Sequence, residues 1–148
     1  MPVDLEIVSP EKLLLSRPVD MVVLPAAEGE IGVQAQHSPM IVLLQGGTIR
    51  LYEGAQVTER LFVSGGFAEI TPSRVTVLAD EATPVGQVSR AEGERRLAAA
   101  QADYDRAAKT DVPALDAAMV RLQSARAMIA TAQGGASATL READARSP

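Results

Sequence analysis

The sequence predicts a β-plus-α chain, an N-terminal antiparallel β-sandwich followed by a C-terminal antiparallel two-helix hairpin. Three observations predict it. From Val3 to Ala79 apolar residues alternate with polar ones or form short runs between turn residues, the period-two pattern of half-buried strands. Near Pro84-Val85-Gly86 the spacing changes to steps of three and four, the mark of amphipathic helices. No helix-period segment interrupts the strands, which excludes a doubly wound parallel sheet.

Val3, Leu5 and Ile7 share one face of the first strand. Leu13 and Leu15, then Val19, Met21 and Val23, continue the alternation past Ser9-Pro10 and Arg17-Pro18. Glu30 to Gln34, Met40 to Gln45, Thr48 to Glu53, Val57 to Ser64, Phe67 to Thr71 and Val75 to Ala79 follow, with Gly46-Gly47, Glu53-Gly54 and Gly65-Gly66 as turns. Residues 1–87 thus hold roughly nine or ten short strands, the spacing of a sandwich or flattened barrel.

Ser89 with Glu92 three residues on forms a capping box, so a helix starts there and runs to about Lys109. Thr110 to Pro113 break it, with Asp111 as the next cap and Pro113 in the following first turn. In the second helix Leu115, Met119, Leu122, Ala125, Ile129 and Ala132 form one stripe. The stripe of the first is thinner: Ala91, Leu97 or Ala98, Gln101, Tyr104 and Ala108. Two alanine-rich helices bury little apolar area alone, so residues 88–133 are expected to lean on the sandwich or on another protein. Residues 134–148, mostly Gly, Ala, Ser and charge, read as a weakly structured tail.

Of the 148 residues 47% are hydrophobic and 22% charged, the balance of a folded globular chain. No apolar run reaches the ~20 residues of a membrane span. The first residues carry Asp4 and Glu6, unlike a secretory leader or transit peptide, which makes the cytoplasm the expected compartment. There is no cysteine and one histidine, His37, so neither a disulfide framework, a zinc site nor a Ser-His-Asp triad is expected. Residues 1–87 hold eleven acids against five bases, whereas 88–133 hold six against seven. That acidic first part, with two Tyr and two Phe in the whole chain, excludes nucleic acid as a partner.

Catalytic constellations are sparse. Glu28 and Glu30 lie two apart and would project to one side of a strand, a conceivable acid and base pair, but solvated carboxylates at a sandwich edge are the simpler reading. His37, in Gln36-His37-Ser38-Pro39, reads as a polar loop or interface residue. Gly29-Glu30-Ile31-Gly32 and Gly65-Gly66 match neither phosphate-binding glycine motif. Arg90, Arg95 and Arg96 read as the solvated face of the first helix, relieved by Glu92 and Glu94. No catalytic residue, cofactor or metal is expected.

Several stretches together resemble the epsilon subunit family of the bacterial F-type ATP synthase: Gly29-Glu30-Ile31-Gly32-Val33, His37-Ser38-Pro39, Gln45-Gly46-Gly47-Thr48-Ile49-Arg50, Val63-Ser64-Gly65-Gly66-Phe67-Ala68-Glu69 and Val75 to Ala82. The resemblance covers about residues 3–133. It implies a ten-stranded sandwich (1–87) that binds the gamma subunit and the ring of c subunits in the central stalk. A two-helix domain (88–133) can then extend along gamma toward the alpha/beta catalytic head and restrain ATP hydrolysis. By the same resemblance Glu28, Gly29, Glu30 and His37 face the c-ring, whose loops usually carry an arginine. The chain would be a non-catalytic rotor part, peripheral on the cytoplasmic face of a bacterial inner membrane and touching the membrane only through the complex. One motif departs from the family. Where many members carry a hydrophobic residue, Asp, two variable positions, Arg and Ala, linked to regulatory ATP, this chain has Val88, Ser89, Arg90, Ala91, Glu92 and Gly93. An acid thus stands where a phosphate would meet a base, and regulatory ATP is not expected. The rival readings are a free-standing ligand-binding sandwich with the hairpin as a dimerisation arm, and an enzyme using Glu28 and Glu30.

Overall fold

The computed structural model describes the backbone of residues 2–145 and the side chains of residues 2–134. Ten strands come first: β1 (Val3–Val8), β2 (Leu13–Val19), β3 (Met21–Ala26), β4 (Gly29–Val33), β5 (Met40–Leu44), β6 (Gly47–Glu53), β7 (Gln56–Val63), β8 (Gly66–Ile70), β9 (Arg74–Leu78) and β10 (Ala82–Pro84). A 3₁₀ turn, Val85–Gln87, precedes the helices α1 (Arg90–Arg106) and α2 (Val112–Ala145). The chain divides between Pro84 and Val85 into two compact units.

The strands hydrogen-bond in the order β10-β7-β6-β3-β5-β8-β9-β1-β2, with β4 on the other edge of β3. Residues Met21 to Val23 of β3 pair with β6, but its last residue, Ala26, pairs with Leu44 of β5. The sheet turns there into two layers, β4-β3-β6-β7-β10 and β5-β8-β9-β1-β2. Fully buried Val3, Leu5 and Ile7 of β1 share the core with Val75 and Val77 of β9, Ile49 and Leu51 of β6, and Val63 of β7. Each such side chain contributes roughly 1.5–3 kcal/mol on burial, so this unit is held together by its own interior.

The expected sandwich is present, with two differences in detail. Every strand pair is antiparallel except β1 with β9, which is parallel. Antiparallel neighbours are enforced only where a short hairpin joins two strands, and some seventy residues separate these two. The second difference is the phase of β3. Val22 and Leu24 fill the sandwich core, whereas Met21 is half-buried and Val23, although buried, lies outside that cluster. Asp20 explains the shift by leaving the ladder: its N–H donates to the Tyr52 carbonyl (3.0 Å), and its Oδ2 accepts from Gly54 N–H (2.7 Å). One residue out of register sends every following side chain to the opposite face.

In the helical unit Ser89 caps α1 by accepting from Glu92 N–H (3.1 Å), and Asp111 caps α2 by accepting from Ala114 N–H (3.2 Å), as the sequence predicts. The seam between the helices differs from the predicted stripes. Gly93 and Ala100 of α1 and Ala118, Leu122, Ala125 and Met128 of α2 are buried, whereas Tyr104 and Met119 are exposed. The smallest side chains occupy the line of closest approach because the backbones then come nearest. α2 runs on to Ala145, through part of the stretch 134–148 that the sequence reads as a tail. Ala, Leu, Glu and Arg in that stretch are strong helix formers. Residues 146–148 lie outside the described residues.

Gly66 opens β8 with φ of 137°, and a Cβ there would collide with the Leu78 carbonyl oxygen of β9. Gly66→Ala is therefore expected to destabilise the sandwich by ~2–4 kcal/mol, from backbone strain plus displacement of β9. Gly32→Ala, whose Cβ would make only ordinary contact with Met21, should stay within about 1 kcal/mol of the parent. Urea unfolding of the full chain, followed by a probe in the sandwich, checks the pair.

Candidate functional site

The β3–β4 hairpin carries the acidic residues. Ala27 and Glu28 form its turn, and Gly29, opposite Ala26 in the register, has φ of 133°, a conformation side-chain-bearing residues rarely adopt. Glu28 sits in the turn, so it and Glu30 do not form the same-side strand pair that acid–base chemistry would use. Glu30 is already engaged. It stands opposite Pro25, and Arg50 of β6 reaches across β3 to both its oxygens, Nη1 to Oε2 at 3.0 Å and Nη2 to Oε1 at 3.4 Å. Burial by itself lowers the Arg50 pKa, but the hydrogen bond with Tyr52 and the charge of Glu30 outweigh it and raise the value. The guanidinium thus stays charged and pins Glu30. As a largely exposed pair it adds ~1 kcal/mol or less to stability, so its main effect is to orient the carboxylate.

His37 lies elsewhere. The loop after β4 carries it, beyond Val33, while Glu28 precedes the other end of that strand, roughly 13 Å away at the rise of an extended chain. Its Nδ1 lies 2.8 Å from the Ser38 carbonyl oxygen, which can only accept, so Nδ1–H is the donor of this contact. The residues expected to act together fall into two places: Glu28, Gly29 and Glu30 in the hairpin, and His37 at the far end of β4.

Another feature escaped the sequence reading. On the outer face of the second layer, Leu43 of β5, Phe67 of β8 and Leu78 of β9 are cross-strand partners in one row. They are 57%, 54% and 51% exposed, and Ile41 beside them is 75% exposed. One groove of about 300 Å³ runs along Met40 to Leu43 and is closed by Ala26, Ala27 and Glu28. Another, of about 350 Å³, continues from Phe67 and Leu78 to Val8 and Pro10. The apolar row therefore abuts the acidic turn. The signal was present in Met40-Ile41-Val42-Leu43-Leu44, an unbroken apolar run in which both faces of one strand are hydrophobic.

On α1, Glu92 does not close the capping box with its side chain. Its carboxylate accepts from Arg95, and from Arg96 Nε at 3.1 Å. Those hydrogen bonds, the Arg95 bond above all, hold the Glu92 carboxyl below the usual carboxylate range. Among the described residues no cluster of His, Asp and Glu is placed to hold a metal, and no helix is long and apolar enough to cross a membrane.

A sheet folded into two layers with an exposed apolar row beside an acidic turn, followed by a helical pair, has the features of an interaction module. Residues 2–85 match the family model for the ATP synthase delta/epsilon chain, beta-sandwich domain. The chain is 67% identical over 129 residues to the ATP synthase epsilon chain of Granulibacter bethesdensis, covering 87% of this chain and 96% of the relative. A chain of the Euglena gracilis mitochondrial ATP synthase, solved as OSCP/F1/c-ring in rotational state 1, superposes with a TM-score of 0.66 at 23% identity, covering 87% of this chain and 80% of that one. A chain of the Tetrahymena thermophila mitochondrial ATP synthase central stalk and c-ring does so at 0.58 and 13% identity, covering 89% and 97%. The chain belongs to the ATP synthase epsilon-chain family. It is accordingly a non-catalytic subunit of that complex.

A depressed carboxyl pKa in the folded state stabilises fully above the unfolded value, about 4.3 for Glu, and the stabilisation is lost as pH falls through the folded value. Stability of α1 should therefore decline below about pH 4. Glu92→Gln should lower helical stability at neutral pH and flatten this decline. Thermal melts followed by far-UV circular dichroism across that range, parent minus variant, isolate the effect.

Proposed function

We propose that the sandwich carries two contact surfaces of a rotor part and that the helical unit is regulatory. The chain is a central-stalk component of an F-type ATP synthase and serves ATP synthesis coupled to proton transport. In this reading the gamma subunit covers the row Leu43, Phe67 and Leu78 with Ile41, and the acidic turn at Glu28, Gly29 and Glu30 meets the ring of c subunits. His37, at the other end of β4, takes part from a separate side. Peripheral attachment at the cytoplasmic face of a bacterial inner membrane follows from the assembly.

The single observation that carries the reading is the exposed apolar row on a hydrogen-bonded sheet. The outer face of an antiparallel layer is ordinarily polar, and four large side chains exposed side by side need a partner to cover them. A rigid sheet also suits torque transfer, because its ladder yields less than a loop would. The adjacent carboxylates, one held in place by Arg50, supply charge that fixes orientation on an arginine-bearing ring and speeds assembly. The helical unit is read as restraining ATP hydrolysis in response to rotor state. Arg95 and Arg96 are already engaged by Glu92, which argues against a nucleotide phosphate as their ligand.

Phe67→Asp places a charge in the middle of the row without touching the core, since the side chain points outward. Affinity for gamma is expected to fall by ~30-fold or more, the loss of a central apolar anchor, with the sandwich melting temperature unchanged. Titration of purified gamma against parent and variant reads both. Glu30→Arg sets like charge against Arg50 and against the ring. Proton pumping by reconstituted vesicles should drop a few-fold at low ionic strength and recover in part as salt screens the repulsion. Pumping that is equal at every salt concentration would remove the hairpin from the ring contact.

A further inference from the structure

We propose that the closed state of the helical pair at its free end is set by a size match, in which Gly93 of α1 is a notch that seats Ile129 of α2, so that filling the notch opens the helices. The proposal rests on the reading of this unit as regulatory and names the contact that sets its closed state. Helix propensity makes a glycine at this place costly. Inside a helix it is roughly 1 kcal/mol worse than alanine, and α1 is otherwise rich in alanine. Packing supplies the reason for it. A Cβ on Gly93 would stand 2.9 Å from Ile129 Cγ1, 3.3 Å from the Ile129 backbone nitrogen and 3.5 Å from Met128 Cβ. A new rotamer of Ile129 relieves the first approach, but the second requires the α2 backbone itself to move.

The position of the contact gives it leverage. Residues 107–111 join the helices, and near that end Asp103 of α1 accepts from Arg121 of α2 at 3.3 Å. The chain connection thus keeps that end closed. Gly93 meets Ile129 at the opposite end, where no covalent link holds the pair. There, turned to present its oxygen, the Gln133 amide accepts from Arg90 Nη1 and Nη2 at 3.3 Å. Between the two ends the seam is made largely of Ala100, Ala118 and Ala125, with Leu122 and Met128 as larger buried side chains. Alanines bury little area, so a few tenths of an ångström of separation at the notch meets little resistance along the seam.

The chain has no cysteine, so Ala91→Cys and Ala130→Cys, both at exposed positions near the free end, accept spin labels on the full chain. Adding Gly93→Ala should lengthen and broaden the interspin distance and speed amide exchange of α1 roughly tenfold, as overpacking shifts the local opening equilibrium. Combining it with Ile129→Ala should return both readouts toward the parent, because the pair again matches in size. Slower exchange with an unchanged distance, as propensity alone dictates, would overturn the proposal. So would a hairpin disordered by Gly93→Ala that the double variant does not restore. ATP hydrolysis by the assembled complex separates the two claims: an opened pair with unaltered hydrolysis keeps the latch and removes the regulatory role.

Discussion

A sheet of ten strands buries one of its faces only by folding back on itself, and in this protein the turn hangs on a single residue pair, Ala26 opposite Leu44. Two hydrogen bonds flank it, Ala27 N–H to the Leu43 carbonyl and Gln45 N–H to the Pro25 carbonyl, each 2.9 Å. Space is short at this corner, since a Cβ on Gly47 would come 2.7 Å from Pro25 Cβ. The register of both layers descends from this corner. It sets which residues of β5 face inward, and through the β5–β8–β9 ladder it aligns Leu43, Phe67 and Leu78 in one outward row. The acidic turn and the apolar surface adjoin because β3 passes its hydrogen bonds from β6 to β5 at its last residue.

Alternation made the first unit legible, because burial on one side of a strand leaves a local trace in Val3, Leu5, Ile7, Val75 and Val77. It could not announce the pairing of β1 with β9, which is a contact between distant segments, nor the phase slip at Asp20, which depends on a partner thirty-odd residues away at Gly54. The helix caps were legible for the same local reason. The α2 side of the seam was legible in part, through Leu122 and Ala125, but the α1 side was not, because hydrophobicity favours Tyr104 while close approach selects Gly93 and Ala100. Glu28, Gly29 and Glu30 fall together in the β3–β4 hairpin, and the length of β4, which no local pattern discloses, puts His37 beyond the other end of that strand.

The two units divide the physical work unequally. Buried Val, Leu and Ile dominate the first, whereas the second relies on alanine contacts, two caps and exposed ion pairs such as Asp103 with Arg106 and Arg121. Stability is therefore concentrated where mechanical stiffness is useful and withheld where rearrangement is useful. Exposed carboxylate–arginine pairs suit the second role, since they re-form at little cost when helices shift.

The parallel union of β1 with β9 bears on the order in which the chain acquires structure. The N-terminal strand, although made first, stays unpaired along one edge until residues 74–78 have been synthesised, and contacts of such wide sequence separation are slow to form. The later strands, β5 to β8, meet as near neighbours and are free to associate earlier. Closure of the second layer then falls to a segment that lies just ahead of the helices. On the ribosome the rigid unit is in a position to lock before the alanine-rich pair has emerged.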